Sequence, residues 1–397
     1  MRRLLVIFLI AACLLSGCKN PEPAAARTPP STEPVTAPPE TTQPPTQTQP
    51  PETTQPPTQP EPEPDPIAQL METMTLEEKV GQLFFARCPG ENATADAQTY
   101  QLGGYLLFAG DFEGKTADQI RERIQGFQSV SKIPMLIGVD EEGGTVVRVS
   151  SNKNLRESKF RSPQKLYAEG GMERIVEDTK EKDALLKSLG INVNCAPVAD
   201  VSTNSSDFIH SRSFGQDAQA TADFTAQVVA QMGRDQIGST LKHFPGYGSN
   251  VDTHTGIARD TRSMETFLTA DLLPFRSHSA GEGTAAIMVS HNIMCCVDTE
   301  FPASLSAKVH GFLREVLPFD GVVMTDGLDM GAVKAYAEGG NIALTALQAG
   351  NDMLLLCSYK TGIPAILEAV EDGTVTEEMI DTACYRVLSW KQSLGLI

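Results

Sequence analysis

From Pro66 onward, apolar runs of four to eight residues alternate with stretches whose apolar positions recur at helical spacing. Eight runs stand out: Gln82–Cys88, Gly104–Phe108, Met135–Asp140, Asn192–Val198, Ser239–Phe244, Ala286–His291, Gly321–Asp326 and Asp352–Cys357. They are nearly continuous in apolar residues rather than alternating, the pattern of strands buried on both faces. Between them, Thr116–Val130, Arg174–Leu189, Ala218–Gln236 and Ala332–Ala349 carry the helical period, and a last helix is expected from Thr376 to Leu394. Thr75 with Glu78 has the spacing of a capping box, and Gly350 follows the Ala332–Ala349 stretch as a C-terminal stop. Eight buried strands separated by helices predict an α/β fold, a single (β/α)8 barrel, ahead of a doubly wound sheet.

A barrel of this kind concentrates its chemistry at the C-terminal ends of the strands. The polar residues fall there: Asp140 ends the third run, Lys242 and His243 lie in the fifth, His291 ends the sixth and Asp326 the seventh.

Ahead of the barrel the pattern changes. Arg2 and Arg3 precede an apolar run from Leu4 to Leu15, too short to span a bilayer, and Leu15-Ser16-Gly17-Cys18 resembles the bacterial lipobox. Residues 1–18 are read as a lipoprotein signal with Cys18 as the lipidated residue. Residues 19–66 hold 17 of the 26 prolines, and the decamer PPETTQPPTQ occurs twice, from Pro38 and from Pro50. With almost no aliphatic or aromatic residues this tract is expected to be a disordered Pro/Thr/Gln/Glu-rich tether, with a reach on the order of 140 Å when fully extended. Residues 67–397 form the predicted barrel domain.

Composition narrows the function classes. The chain carries 32 Lys+Arg against 50 Asp+Glu, a net of −18, and the barrel segment alone has a net of −15. Such a balance disfavours a nucleic-acid partner, which needs a basic face. Six cysteines remain beyond Cys18, at 88, 195, 295, 296, 357 and 384, in no zinc or thioredoxin spacing, so neither a required disulfide nor a metal is expected.

Five ordered motifs then carry a resemblance: MLIGVDEEGGTVVR (Met135–Arg148), NVNCAPVADV (Asn192–Val201), SRSFG (Ser211–Gly215), KHFPGYGSNVDTH (Lys242–His254) and GVVMTDGLDM (Gly321–Met330). Together they resemble glycoside hydrolase family 3, in its single-domain bacterial β-N-acetylglucosaminidase branch, over essentially all of residues 67–397. The resemblance implies a retaining double displacement without a cofactor. It assigns the nucleophile to Asp326, with Asp329 a weaker rival and a helix-capping role the bland one. It assigns the acid/base to His254, oriented by Asp252, and sugar binding to Asp140, Arg148, Arg212, Lys242 and His243. Gly143 and Gly144 are read as turn formers. DEEGG replaces the family's usual DQEGG, placing Glu141 where an amide is common, and Tyr247 takes the variable position of PGYG. The spacer from Gly248 to Asp252 is one residue shorter than expected.

The expected protein is an exo-acting β-N-acetylhexosaminidase, a monomer held at the extracytoplasmic membrane surface through its lipid alone. Its expected partner is a β-GlcNAc-terminated glycan from peptidoglycan fragments. A family 3 β-glucosidase, a phosphorylase-like enzyme and a non-catalytic sugar-binding lipoprotein are the alternatives.

Overall fold

The computed structural model describes residues 65–253, 256–276, 283–337 and 340–397. The segments expected to be signal and, nearly all of it, tether, with Cys18, and the acid/base candidate His254 lie outside the described residues.

Eight parallel strands form the centre: β1 (Phe84–Arg87), β2 (Gly104–Leu107), β3 (Leu136–Val139), β4 (Val193–Asn194), β5 (Gly238–Phe244), β6 (Ala285–Val289), β7 (Val323–Thr325) and β8 (Leu354–Leu355). Each lies within or overlaps one of the eight predicted apolar runs. Their order is β8-β1-β2-β3-β4-β5-β6-β7, with every neighbouring pair except β8–β1 consecutive in the chain. The last gap, between β7 and β8, is spanned by a single parallel bridge, Met324 with Met353, so the sheet is a nearly closed barrel consistent with the predicted (β/α)8 type. A separate two-stranded ladder pairs Arg259–Asp260 with Ile293–Met294.

The barrel interior is filled by side chains. Phe85, Leu106, Leu136, Met288, Met324 and Met353 are fully or almost fully buried in one cluster that also takes in Trp390 of the last helix, Glu377–Ser393, and Leu394 at its C-cap. Two glycines make room for the largest of the strand residues: a Cβ at Gly138 would sit 2.4 Å from Phe85 Cζ, and one at Gly104 would sit 2.9 Å from Phe85 Cδ2. Trp390 donates its indole N–H to the Thr284 carbonyl at 3.0 Å, which fixes the last helix against the segment leading into β6. A second and larger cluster lies between the strands and the surrounding helices.

The helices follow the predicted pattern with two differences. Thr75 and Glu78 form the reciprocal capping box, Ala117–Val130 and Ala218–Arg234 occupy their predicted stretches, and Gly350 adopts φ +107°. The helix expected from Arg174 begins earlier, at Pro163, and is interrupted at Gly170 and Gly171, where Gly171 has φ +64°. The single helix expected over Ala332–Ala349 is not formed. Gly331–Lys334 and the 3-10 turn Ala335–Ala337 end it, and a new helix, Ile342–Gln348, starts where the Asn341 side chain accepts from the Ala343 N–H at 3.0 Å. No helix among the described residues is long and apolar enough to cross a membrane.

Candidate active site

The strand ends converge on a cavity of about 590 Å³ at the C-terminal mouth of the barrel. Its walls include Asp140, Arg148, Arg212, Lys242, His243 and Asp326, so all five predicted sugar-binding residues and the predicted nucleophile meet in one place.

The deep wall is a charge network. Lys242, fully buried on β5, places Nζ 2.9 Å from Asp140 Oδ1 and 2.6 Å from Glu142 Oε1. Arg148 donates to Asp140 Oδ2 at 3.1 Å, while Arg212 forks onto Glu142 through Nε at 3.0 Å and Nη2 at 2.8 Å. Burial opposes ionisation of both carboxylates. For Asp140, Lys242 and Arg148 outweigh that penalty, and for Glu142, Lys242 and Arg212 do, so both pKa values fall below the usual range. The same pairing raises Lys242 and Arg212 despite their burial. The pairing therefore favours the charged form of all four groups.

The loop carrying Asp140 and Arg148 is held by Glu141. This carboxylate is completely buried and accepts the backbone N–H groups of Arg148 and Val149, each at 2.7 Å, together with the N–H and hydroxyl of Ser150. A carboxylate supplies acceptors to several donors at once, which is the physical sense of Glu at this position. Asn194 on β4 stitches the same loop from below, accepting from Glu141 N at 2.9 Å and donating to Glu141 O at 3.1 Å. Gly143 has φ +98°, and a Cβ there would lie 2.3 Å from the Arg161 carbonyl, so it forms the tight turn that its sequence suggested.

His243 is clamped on three sides. Asp200, at the end of the NCAPVADV segment, sits 2.7 Å from its Nδ1 and also accepts the N–H groups of His243 at 3.2 Å and Tyr247 at 2.7 Å. Arg212 Nη2 lies 3.3 Å from Nε2, and Tyr247 packs its ring edge-on at 5.1 Å. The Asp200 carboxylate only accepts, so Nδ1 carries a proton.

Asp326 follows β7. Its backbone N–H donates to the Val289 carbonyl at 2.9 Å, and its Oδ1 accepts the Gly327 N–H at 2.7 Å. The helix that follows has Met330 at its N-cap with no side-chain cap, so the capping role for Asp326 is not realised. Burial raises its pKa, but the imidazoles of His291 and His243 and the Gly327 N–H prevail, and the carboxyl is held below its ordinary value. His291 itself is buried behind the site, donating from Nε2 to the Gly327 carbonyl at 2.9 Å. Asp329 stands at the rim, paired with Arg87 at 3.0 Å.

Asp252 is half-buried in the loop after β5 and is not among the residues lining the cavity. Its predicted partner, His254, falls outside the described residues. Tyr247, in the same loop, bonds through its hydroxyl to Thr253.

Four contributors were not singled out from sequence: Glu142, Asp200, Tyr247 and Arg87. The first three lie inside the quoted motifs, and Asp200 lies two residues beyond the predicted run Asn192–Val198, so an acid just past a strand was a usable signal. Arg87 also ends its strand, but within a run that read as apolar through Cys88.

The Glycosyl hydrolase family 3 N terminal domain matches residues 75–390, which include all eight barrel strands. The beta-hexosaminidase of Alkalilimnicola ehrlichii is 32% identical over 296 residues, covering 70% of this chain and 80% of its own. That of Methylococcus capsulatus is 31% identical over 297 residues, covering 72% and 86%. A solved glycoside hydrolase family 3 beta-N-acetylglucosaminidase from Paenibacillus superposes with a TM-score of 0.75 at 31% identity, covering 81% of this chain and 63% of its own. Motifs, barrel and matched span agree, and the chain belongs to glycosyl hydrolase family 3.

Proposed function

We propose that the protein is a retaining exo-β-N-acetylhexosaminidase that releases terminal N-acetylglucosamine, with Asp326 as nucleophile. The observation that carries this reading is the placement of an ionised strand-end carboxylate on the wall of a cavity whose deep side is an interlocked clamp of carboxylates and cations. A pyranose presents hydroxyls that both donate and accept. Asp140 and Glu142 accept from such hydroxyls, and Lys242 and Arg148 donate to them. Arg148 Nε is buried with no partner among the described residues, a spare donor in this wall.

In the first step Asp326 attacks the anomeric carbon while the bond to the leaving oxygen breaks and that oxygen takes a proton. In the second step water, giving its proton to the same acid/base group, displaces the carboxylate. We assign that group to His254, oriented by Asp252, on the strength of the D-T-H motif after β5. The relatives named as hexosaminidases support the sugar. The lipobox-like start supports an exported, lipid-anchored enzyme, and with it a substrate drawn from peptidoglycan fragments.

The test is incubation of residues 67–397 with chromogenic β-GlcNAc and β-Glc, beside Asp326→Ala and His254→Ala. Release of GlcNAc by the parent chain and its loss in Asp326→Ala are expected. No release from either sugar would overturn the glycosidase reading, and release of glucose alone would overturn the hexosaminidase one. Dependence of release on added phosphate would identify a phosphorylase instead.

A further inference from the structure

The loop after β5 leaves the barrel at Phe244 and returns at the short strand Arg259–Asp260, with the Asp252-Thr253-His254 motif between them. Both of its stems are gripped by one side chain, Arg262. Nη2 donates to the Gly246 carbonyl on the outgoing stem at 3.0 Å and to Asp260 Oδ2 on the returning stem at 2.6 Å. Nε donates to Asp260 Oδ1 at 3.0 Å, and Nη1 reaches both oxygens of Asp271, at 2.8 and 3.0 Å.

This bracket is built into the fold. Asp260 and Asp271 are only 1% and 2% exposed. The strand of Asp260 pairs with Ile293–Met294, and the Asp260 carbonyl accepts the Cys295 N–H at 2.9 Å, which ties the returning stem to the segment after β6. Asp271 ends the helical turn Phe267–Asp271, and the ring of Phe267 packs against the guanidinium with 4.6 Å between carbon and centroid. Gly248 has φ +53°, and a Cβ there would lie 2.4 Å from Arg262 Nη1, so the outgoing stem runs directly over the cation. Half-buried Asn250 adds a brace, its Nδ2 donating to the Tyr247 carbonyl at 2.8 Å and to Asp260 Oδ2 at 2.7 Å.

A planar guanidinium fixes the angles of its partners as well as their distances. Arg262 is not among the residues lining the catalytic cavity, so its influence on the reaction passes through the loop. The path is short. Tyr247, between Gly246 and Gly248, gives its N–H to Asp200 and bonds through its hydroxyl to Thr253, inside the D-T-H motif.

We propose that Arg262 is a positioning residue for proton transfer, fixing both stems of the loop that presents the acid/base group to the leaving oxygen. The proposal rests on the acid/base assignment made above. Its test uses the fact that help from a general acid matters more as the leaving oxygen becomes more basic. Phenyl and 2,4-dinitrophenyl β-N-acetylglucosaminides share the terminal sugar, but dinitrophenolate departs without a proton. kcat/KM is measured on both for the parent chain, Arg262→Ala and His254→Ala, beside melting curves.

Arg262→Ala is expected to lose roughly 30-fold on the phenyl glycoside, part of the roughly 10²–10⁴-fold that a placed acid supplies, and to stay within about threefold on the dinitrophenyl one. His254→Ala should show the same selectivity, enlarged. Equal losses on both substrates in Arg262→Ala, the mark of a merely structural role, would overturn the proposal, as would no loss on either. If Arg262→Ala does not fold, Asn250→Ala decides in its place: it removes only the brace, so a loss of about threefold confined to the phenyl glycoside supports the proposal, and equal or absent losses overturn it. Equal losses in His254→Ala would remove the acid/base assignment and this proposal with it. A parent chain inactive on both substrates would remove the glycosidase reading itself.

Discussion

At the residue scale, the most consequential side chain that touches no open surface is Asp200. It serves His243 and Tyr247 with both oxygens, and its loss is felt through them rather than directly. In Asp200→Asn one oxygen becomes an N–H donor, which must face either the imidazole Nδ1–H or a backbone N–H. We predict a roughly 10–100-fold fall in kcat/KM, carried mainly by KM because the ring's Nε2 is no longer aimed, with kcat changed far less. Steady-state kinetics on an aryl glycoside, beside a melting curve, separates this from simple destabilisation.

A second buried acid acts on stability. Burial, reinforced by the neighbouring Asp235, raises the Asp183 carboxyl to about 8 against the attraction of Lys182. Its unfolded value is 3.8, so the folded chain holds a proton that the unfolded chain has released. The contribution of Asp183 is fully present below pH 4 and declines as pH rises toward 8, at a slope approaching about 1.4 kcal/mol per pH unit. Asp183→Asn, which mimics the protonated acid, should flatten denaturant-derived stability across that window. A slope unchanged from the parent chain would show that Asp183 is ionised in the fold.

At the scale of elements, the strands were legible because burial on both faces writes an uninterrupted apolar run, and a run of that kind needs no knowledge of its neighbours. The strand-end acids Asp140 and Asp326 were legible for the same reason, as polar interruptions at a fixed place. Asp200 lies beyond the end of its run and was passed over, since the residues it serves, His243 and Tyr247, are some forty residues away and only the fold brings them near. The Ala332–Ala349 stretch misled because its periodicity is continuous, whereas the break at Asn341 is made by a local side-chain bond to the Ala343 N–H. The Gly138–Phe85 fit could not be read at all, because it is a contact across the barrel interior. It makes a sharp prediction. Gly138→Ala should cost about 1–3 kcal/mol by overpacking, and Phe85→Leu in the same chain should recover part of it, a coupling visible in a double-mutant cycle.

At the scale of the whole molecule, the barrel is a strongly acidic body with a mouth of a different character. The cavity wall sets Arg87, Arg148, Arg212 and Lys242 against Asp140, Glu142, Asp326 and Asp329, four charges of each sign. The cations of the deep wall are matched to carboxylates 2.6–3.1 Å away, so little field extends into solvent beyond a screening length. The enzyme therefore has no long-range means of drawing substrate in, and encounter depends on diffusion and on the number of glycan ends that reach it. For a neutral glycan, kcat/KM should stay level between about 20 mM and about 500 mM salt, where an electrostatically steered enzyme would slow steeply. Local glycan supply, rather than attraction, is then what sets the rate of capture.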